Sequence, residues 1–312
     1  MSAPMIEATE IRMVFGEVKA LDGVSLHVPE GEVLALLGHN GAGKTTLINI
    51  LATLLPPTSG TARVAGFDVV SQAREVRRHI GITGQFVAVD RELSGTDNLV
   101  LIARLLGAGR REAKARAEEL LEVFELTHTA GRPARTYSGG MRRRLDLASS
   151  LVGHPDVIFL DEPTTGLDPT GRLGLWEIVE RLVKDGTAVL LTTQYLDEAD
   201  RLADSVTVLS GGKIVAAGTA SELKAGVGQH TVHVTLTDQA HTAAAVASLE
   251  RAGLLPVADE ESDKVSVAVE ASTDLARVVR ALDDAGATAA EIAFTQPTLD
   301  DVYLSLAAGR VS

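Results

Sequence analysis

Two short stretches carry residue types that handle a polyphosphate. GHNGAGKT, Gly38 to Thr45, fits G-x-x-x-x-G-K-[ST] at every defined position. EVLALLG (Glu32–Gly38) before it is continuously apolar, as a buried strand is. Thr45–Leu54 after it reads as a helix, stopped by Pro56-Pro57. Glycines let backbone N–H groups converge on phosphate oxygens, and a helix N-terminus adds partial positive charge. The expected nucleotide-binding set is Gly38, His39, Asn40, Gly41, Ala42, Gly43, Lys44, Thr45 and Thr46. Lys44 is expected to reach the β- and γ-phosphates, and the Thr45 hydroxyl to hold Mg²⁺. His39 occupies a variable position and is read as filler rather than as a ligand.

VIFLDEP, Val157 to Pro163, supplies a second half. A buried strand delivers Asp161 to its carboxyl end, where an ionised carboxylate can hold Mg²⁺ through water. Glu162, one residue on, is expected to face an attacking water and polarise it. An apolar run followed by Asp-Glu is unspecific alone; beside a phosphate loop it completes a hydrolytic pair. VLLTTQYLDEAD, Val189 to Asp200, places a third polar residue, Gln194, where a strand gives way to a helix.

The elements that must position these groups follow from periodicity. Ile6–Met13 and Val24–Val28 read as strands around a turn at Asp22-Gly23, with a second turn at Pro29-Glu30-Gly31. Asp90 to Leu126 reads as helical, capped by Thr96, Asp97 or Asn98. Gly139 and Gly140 break the chain before the helix MRRRLDLASSLVG. The strand Val157–Asp161, a helix through Trp176 to Val183 and the strand AVLLTT follow. Strands recurring between helices imply a parallel sheet covered on both faces, with a helical insertion. The last segment reads βαββαβα, a small two-layer fold of the split type, after a boundary near Ala225–Gln229.

The 312 residues are 45% hydrophobic, enough for about two domains. The absence of cysteine excludes a disulfide framework and any thiolate metal site. No secretory signal and no apolar run of the ~20 residues that span a bilayer stand out, so a soluble chain that docks on a membrane protein is expected. A net charge of −13 argues against nonspecific nucleic-acid binding, which needs basic surface. From Gln229 onward, 13 acidic and 5 basic residues leave a balance of −8, read as a solvated acidic face.

TYSGGMRRRLDLA, Thr136 to Ala148, resembles the signature motif of ABC-transporter ATPases, with Tyr-Ser-Gly-Gly-Met where Leu-Ser-Gly-Gly-Gln is commonest. The resemblance covers roughly residues 5–225 and reaches the tail, where PTLDDVYLSL is similar to the ending of drug-exporter ATP-binding subunits. YSGGMRRRLDLASSL and TTQYLDEAD resemble most the daunorubicin/doxorubicin-resistance group. The fold class it implies is α/β. A phosphate-loop ABC ATPase domain (1–227), a mixed sheet plus a helical subdomain at about 86–152, precedes a small C-terminal α+β domain (228–312).

By position, the resemblance implies that Phe15 stacks on adenine and that Gln85 contacts Mg²⁺ and links the site to the helical subdomain. Ser138, Gly139, Gly140 and Met141 would meet the γ-phosphate of ATP held by the opposite subunit, with Met141 replacing a glutamine. Asp168, in Gly166-Leu167-Asp168, belongs to the loop passing between two sites. Gln194 stands at the family's switch histidine; an amide can donate to a phosphate but cannot titrate near neutral pH.

The implied cofactors are ATP and Mg²⁺. The implied partners are a separate integral-membrane permease and a second copy of the chain, joined by ATP. The implied place is the cytoplasmic face of the membrane, with no nucleic-acid partner. An amphiphilic drug or antibiotic is the expected cargo; lipid, polysaccharide or another small molecule is the alternative. A soluble ATPase acting on nucleic acid or ribosomes fits less well. Only 117 residues separate Lys44 from Asp161, leaving no room for a long coiled coil, and there is one ATPase unit.

Overall fold

The computed structural model describes residues 4–83, 89–226, 230–258, 263–269, 272–295 and 297–307. The chain divides into two compact units, Met1–Ala220 and Ser221–Ser312. The first opens with an antiparallel hairpin, β1 (Ile6–Phe15) and β2 (Val18–Val28). Its turn corrects the sequence reading. The chain reverses at Gly16-Glu17, with Gly16 at φ 58°, and β2 runs on through Asp22-Gly23. Ile11 faces Val24 and Arg12 faces Asp22, so Gly23, at φ 85°, is the extra residue of a bulge.

β3 (Val33–Leu37) leads into α1 (Lys44–Leu51). β4 (Ser59–Val64) and β5 (Phe67–Asp68) complete an antiparallel sheet of order β2-β1-β4-β5. α2 (Ala73–His79) and β6 (Ile80–Thr83) follow. The helical stretch expected from Asp90 to Leu126 is two helices, α3 (Gly95–Leu105) and α4 (Arg110–Val123), separated at Gly107, which has φ 101°. The cap of α3 is Ser94, whose hydroxyl accepts the Asp97 N–H at 3.0 Å. Thr96, Asp97 and Asn98 lie inside the helix, and Asn98 turns its amide back onto the carbonyls of Asp90 and Ser94.

α5 (Gly139–Ser150), β7 (Val157–Asp161), α6 (Pro169–Lys184), β8 (Ala188–Thr193), α7 (Leu196–Leu202), β9 (Ser205–Ser210) and β10 (Lys213–Gly218) complete the first unit's elements. The mixed six-stranded sheet has the order β10-β9-β3-β8-β7-β6; all pairs are parallel except β9 with β10. Its central strands divide their residues between two cores. Ile158, Leu160, Val189 and Leu191 pack with the helices, whereas Phe159, Leu190, Leu34 and Leu36 pack with β1, β2 and α1. Burial on both faces is why these strands read as unbroken apolar runs.

α8 (Ala220–Ala225) spans the division between the units. The second unit runs β11 (His230–Leu236), α9 (Thr242–Arg251), β12 (Leu255–Ala258), β13 (Lys264–Val269), α10 (Leu275–Asp284), β14 (Ala289–Thr295) and α11 (Leu299–Ala307). Its sheet is antiparallel throughout, in the order β12-β13-β11-β14, so the βαββαβα pattern takes the split arrangement. Among the described residues, no helix is long and apolar enough to cross a membrane.

Candidate active site

Strand register gathers the polar residues at one edge. Leu37 pairs with Thr193 and Asp161 with Thr192, so Gly38, Glu162 and Gln194 all follow at the carboxyl ends of parallel strands. Open parallel sheets bind ligands at that edge. From Gly38 the backbone turns through Gly41 (φ 82°) and Gly43 (φ 111°) into α1. A side chain at Gly43 would place Cβ 2.6 Å from the Ala20 carbonyl oxygen and 2.8 Å from Leu21 Cδ2, so only glycine fits.

Lys44 is 5% exposed. Its Nζ donates to the carbonyls of Gly38 (2.7 Å) and His39 (3.3 Å) and stands 3.8 Å from Glu162 Oε1. Burial pushes the ammonium pKa down, and Glu162 and Asp161 partly restore it. Thr45 Oγ1 donates to Asp161 Oδ2 at 2.9 Å, and Thr192 Oγ1 donates to Asp161 Oδ1 at 2.5 Å. A hydroxyl and a carboxylate in contact are hard oxygen donors suited to Mg²⁺. Among the described residues no group of three or more His, Cys, Asp or Glu could cage a metal. Mg²⁺ takes one or two protein oxygens and draws its remaining ligands from water and substrate phosphates.

The neighbouring carboxylates sit in different surroundings. Asp161 is buried against two hydroxyls, whereas the Glu162 side chain is 28% exposed, near Lys44 and, at 3.4 Å, Thr165 Oγ1. The turn between them is strained. Glu162 adopts φ 48°, which costs a non-glycine residue on the order of 1 kcal/mol. Hydrogen bonds hold it there: its N–H donates to the Thr192 carbonyl (3.0 Å), and Arg143 Nη2 donates to its own carbonyl (3.1 Å).

Ser138 caps α5, its hydroxyl accepting the Met141 N–H at 3.2 Å. Asp168 caps α6, accepting the Gly171 N–H at 2.9 Å. Ser138, Gly140, Met141 and Asp168 line one cavity of about 220 Å³. A larger one of about 480 Å³ lies between Gly139 and Arg143 on α5 and Asp161 and Glu162 at the end of β7. Phe15 ends β1 beside the Gly16 turn, 47% exposed. Gln194 is exposed directly after β8, and the Tyr195 ring beside it lies under the Arg172 guanidinium at 4.3 Å. Gln85 lies outside the described residues.

Two groups that hold the site, and one buried carboxylate near it, carry little signal in the sequence. Thr192, the hydroxyl that fixes Asp161, has a faint signal: it is one of two polar residues closing an apolar strand. Arg143 lies within the run Arg142-Arg143-Arg144, where residue type does not single it out. Glu198 is fully buried, accepting from Trp176 Nε1 (3.1 Å) and Thr164 Oγ1 (3.2 Å), and burial raises its pKa.

A glycine loop entering a helix, a buried lysine, a Thr–Asp pair and an adjacent second carboxylate, beside a serine-capped helix, define an ATPase of the ATP-binding-cassette class. Residues 21–165 match the ABC transporter family, and residues 218–307 match the C-terminal domain of DrrA1-3-like ATP-binding proteins. The chain is 52% identical to the daunorubicin resistance ATP-binding protein DrrA3 of Streptomyces coeruleorubidus, over 94% of this chain and 92% of the relative. It is 46% identical to the daunorubicin/doxorubicin resistance ATP-binding protein DrrA of Streptomyces peucetius, over 96% and 92%. The solved ATP-binding subunit of an ABC transporter superposes with a TM-score of 0.65 at 28% identity, over 71% of this chain and 92% of that one. The chain belongs to the ATP-binding proteins of ABC transporters and is homologous to those of daunorubicin and doxorubicin resistance. It binds and hydrolyses ATP, and the family implies a separate membrane permease and a dimeric ATPase.

Proposed function

We propose that this chain drives export of an amphiphilic drug or antibiotic, of the anthracycline kind, through a separate permease at the cytoplasmic face of the membrane. Its similarity to daunorubicin-resistance proteins along nearly its whole length supports that cargo. Lys44 and the loop from Gly38 to Thr46 bind the β- and γ-phosphates, and the exposed ring of Phe15 stacks on adenine. Mg²⁺, held by Thr45 and Asp161, would neutralise charge on the phosphate oxygens. Glu162 accepts a proton from the attacking water, and the Gln194 amide donates to the γ-phosphate without titrating. Gln85 connects this site to the helical subdomain. Ser138, Gly139, Gly140 and Met141 meet the γ-phosphate on a second copy of the chain, and Asp168 passes between the two sites. ATP thereby joins two chains, and hydrolysis releases them.

The observation that carries the reading is the Thr45–Asp161–Thr192 hydrogen-bonded series, with Glu162 one residue on and 3.8 Å from Lys44. Glu162→Gln is expected to keep ATP binding and to cut turnover on the order of 10²–10⁴-fold, the worth of a general base. Unchanged turnover of the purified variant would remove the assignment. For the cargo, cells carrying this chain and its permease are challenged with several drugs. Tolerance that survives Glu162→Gln, or that spares amphiphilic drugs, would refute the export reading.

A further inference from the structure

One guanidinium holds three successive peptide carbonyls where β7 ends. Arg143 Nε donates to the Pro163 carbonyl at 2.7 Å, and Nη2 donates to those of Asp161 (3.2 Å) and Glu162 (3.1 Å). Its Nη1 pairs with Asp146, almost one turn further along α5, at 3.4 Å. Asp146 is buried, and the Arg143 side chain is 17% exposed. Arg143 follows Gly139 by four residues and Gly140 by three, so all three share a helix face. Gly139 and Arg143 line the cavity that Asp161 and Glu162 close from the other side.

The Glu162 peptide is therefore held from two directions. On one side its N–H donates to the carbonyl and the hydroxyl of Thr192 on β8. On the other, its carbonyl accepts from α5 through Arg143. A left-handed conformation at a non-glycine residue persists only when its surroundings over-determine it. The planar guanidinium, with five donors in a rigid fork, can serve three carbonyls together, which a lysine ammonium on a flexible stem does not reproduce.

We propose that Arg143 is a positioning residue for hydrolysis, tying the backbone of Glu162 to the first turns of α5. A phosphate oxygen seated at Ser138, Gly139 and Gly140 then sets where the Glu162 carboxylate stands. The inference rests on the reading of Glu162 as the base. α5 is a continuous 12-residue helix, so a displacement at its first turn carries the guanidinium with it, and the carbonyls follow. Nucleotide binding to the loop after β3 needs none of this; water activation does.

The test is single-turnover hydrolysis by the full-length purified chain, with nucleotide affinity and thermal midpoint measured alongside. Arg143→Lys is expected to lower the hydrolysis rate about 10²-fold, the size of a loss from a misplaced reacting group, with nucleotide affinity unchanged. Asp146→Asn, which loosens the guanidinium and leaves the carbonyl contacts available, should give a smaller fall in the same direction. In a Glu162→Gln background, Arg143→Lys should add less than about twofold, because residues acting as one unit are not additive. An undiminished rate in Arg143→Lys would overturn the proposal, as would a full second loss in the double variant or a fall that merely tracks the thermal midpoint. A normal rate in Glu162→Gln alone would remove the base assignment, and the coupling with it. A normal loss there with additive Arg143→Lys removes only the coupling.

Discussion

β3, β7 and β8 of the first unit are buried at every residue, whereas β11 and β13 of the second alternate between buried and more accessible positions. The contrast decides where polar chemistry can stand. A strand covered on both faces has no room for polar side chains along its length, so they collect where it ends. Asp161, Thr192 and Thr193 are such terminal residues, and the parallel register brings them to one edge beside Gly38. In the second sheet polar side chains spread over one face, with Thr231, His233, Lys264 and Ser266 between the buried valines. One arrangement concentrates function-bearing groups; the other disperses them and leaves a valine-rich core to hold the unit together.

Four changes, with Lys264→Ala and Gln194→His as controls, would break or sharpen that contrast, the largest first. Leu249→Ala, in the core under the second sheet, is expected to cost about 2–5 kcal/mol of that unit's stability. ATP turnover by the first unit should persist at temperatures where the second has loosened, as read by calorimetry beside an ATPase assay. A parallel loss of turnover would mean that the nucleotide site depends on the second sheet. Lys44→Ala should weaken nucleotide binding by about 10²-fold, the upper range for hydrogen bonds to charged groups, in a fluorescent-nucleotide titration. Lys264→Ala, on the dispersed face, should leave that titration unmoved. Gln194→Ala should slow hydrolysis roughly tenfold by the same kind of contact, with Gln194→His tolerated. A dead histidine variant would show that the geometry at the end of β8 differs from the family's. Phe15→Ala should weaken ATP binding by about 1 kcal/mol, the lower range for stacking a base on an aromatic ring. Equal binding by both proteins would place the base elsewhere.

Much of the edge was legible because its signals are local. The strand Val157–Asp161 and the strand Ala188–Thr193 fall where apolar runs place them, and α1 follows the glycine loop. In the second unit, period-two alternation and helical spacing yielded the βαββαβα order. Asp-Gly is a strong turn signal by itself, whereas here a bulge takes up the glycine and Gly16 reverses the chain. β4, β5, β6, β9 and β10 have no counterpart among the elements expected from the sequence. β4, β5 and β10 are short or partly exposed and owe their form to neighbouring strands, whereas β9 is buried from Val206 to Leu209 and carries a largely apolar run of its own.

Residue type and spacing alone determined that this chain handles a nucleoside triphosphate. The phosphate loop and the Asp-Glu pair are contiguous segments whose chemistry is fixed by backbone conformation and side-chain type. Only the tertiary structure decided what holds them. Thr192 reaches Asp161 across 31 residues, and Arg143 reaches its carbonyl across 18. The order β3-β8-β7 departs from chain order, and a buried arginine can be told from a solvated one only by what packs around it. Such partners are chosen by strand register and helix packing, which are collective outcomes of burying apolar surface, and no single stretch of sequence carries them.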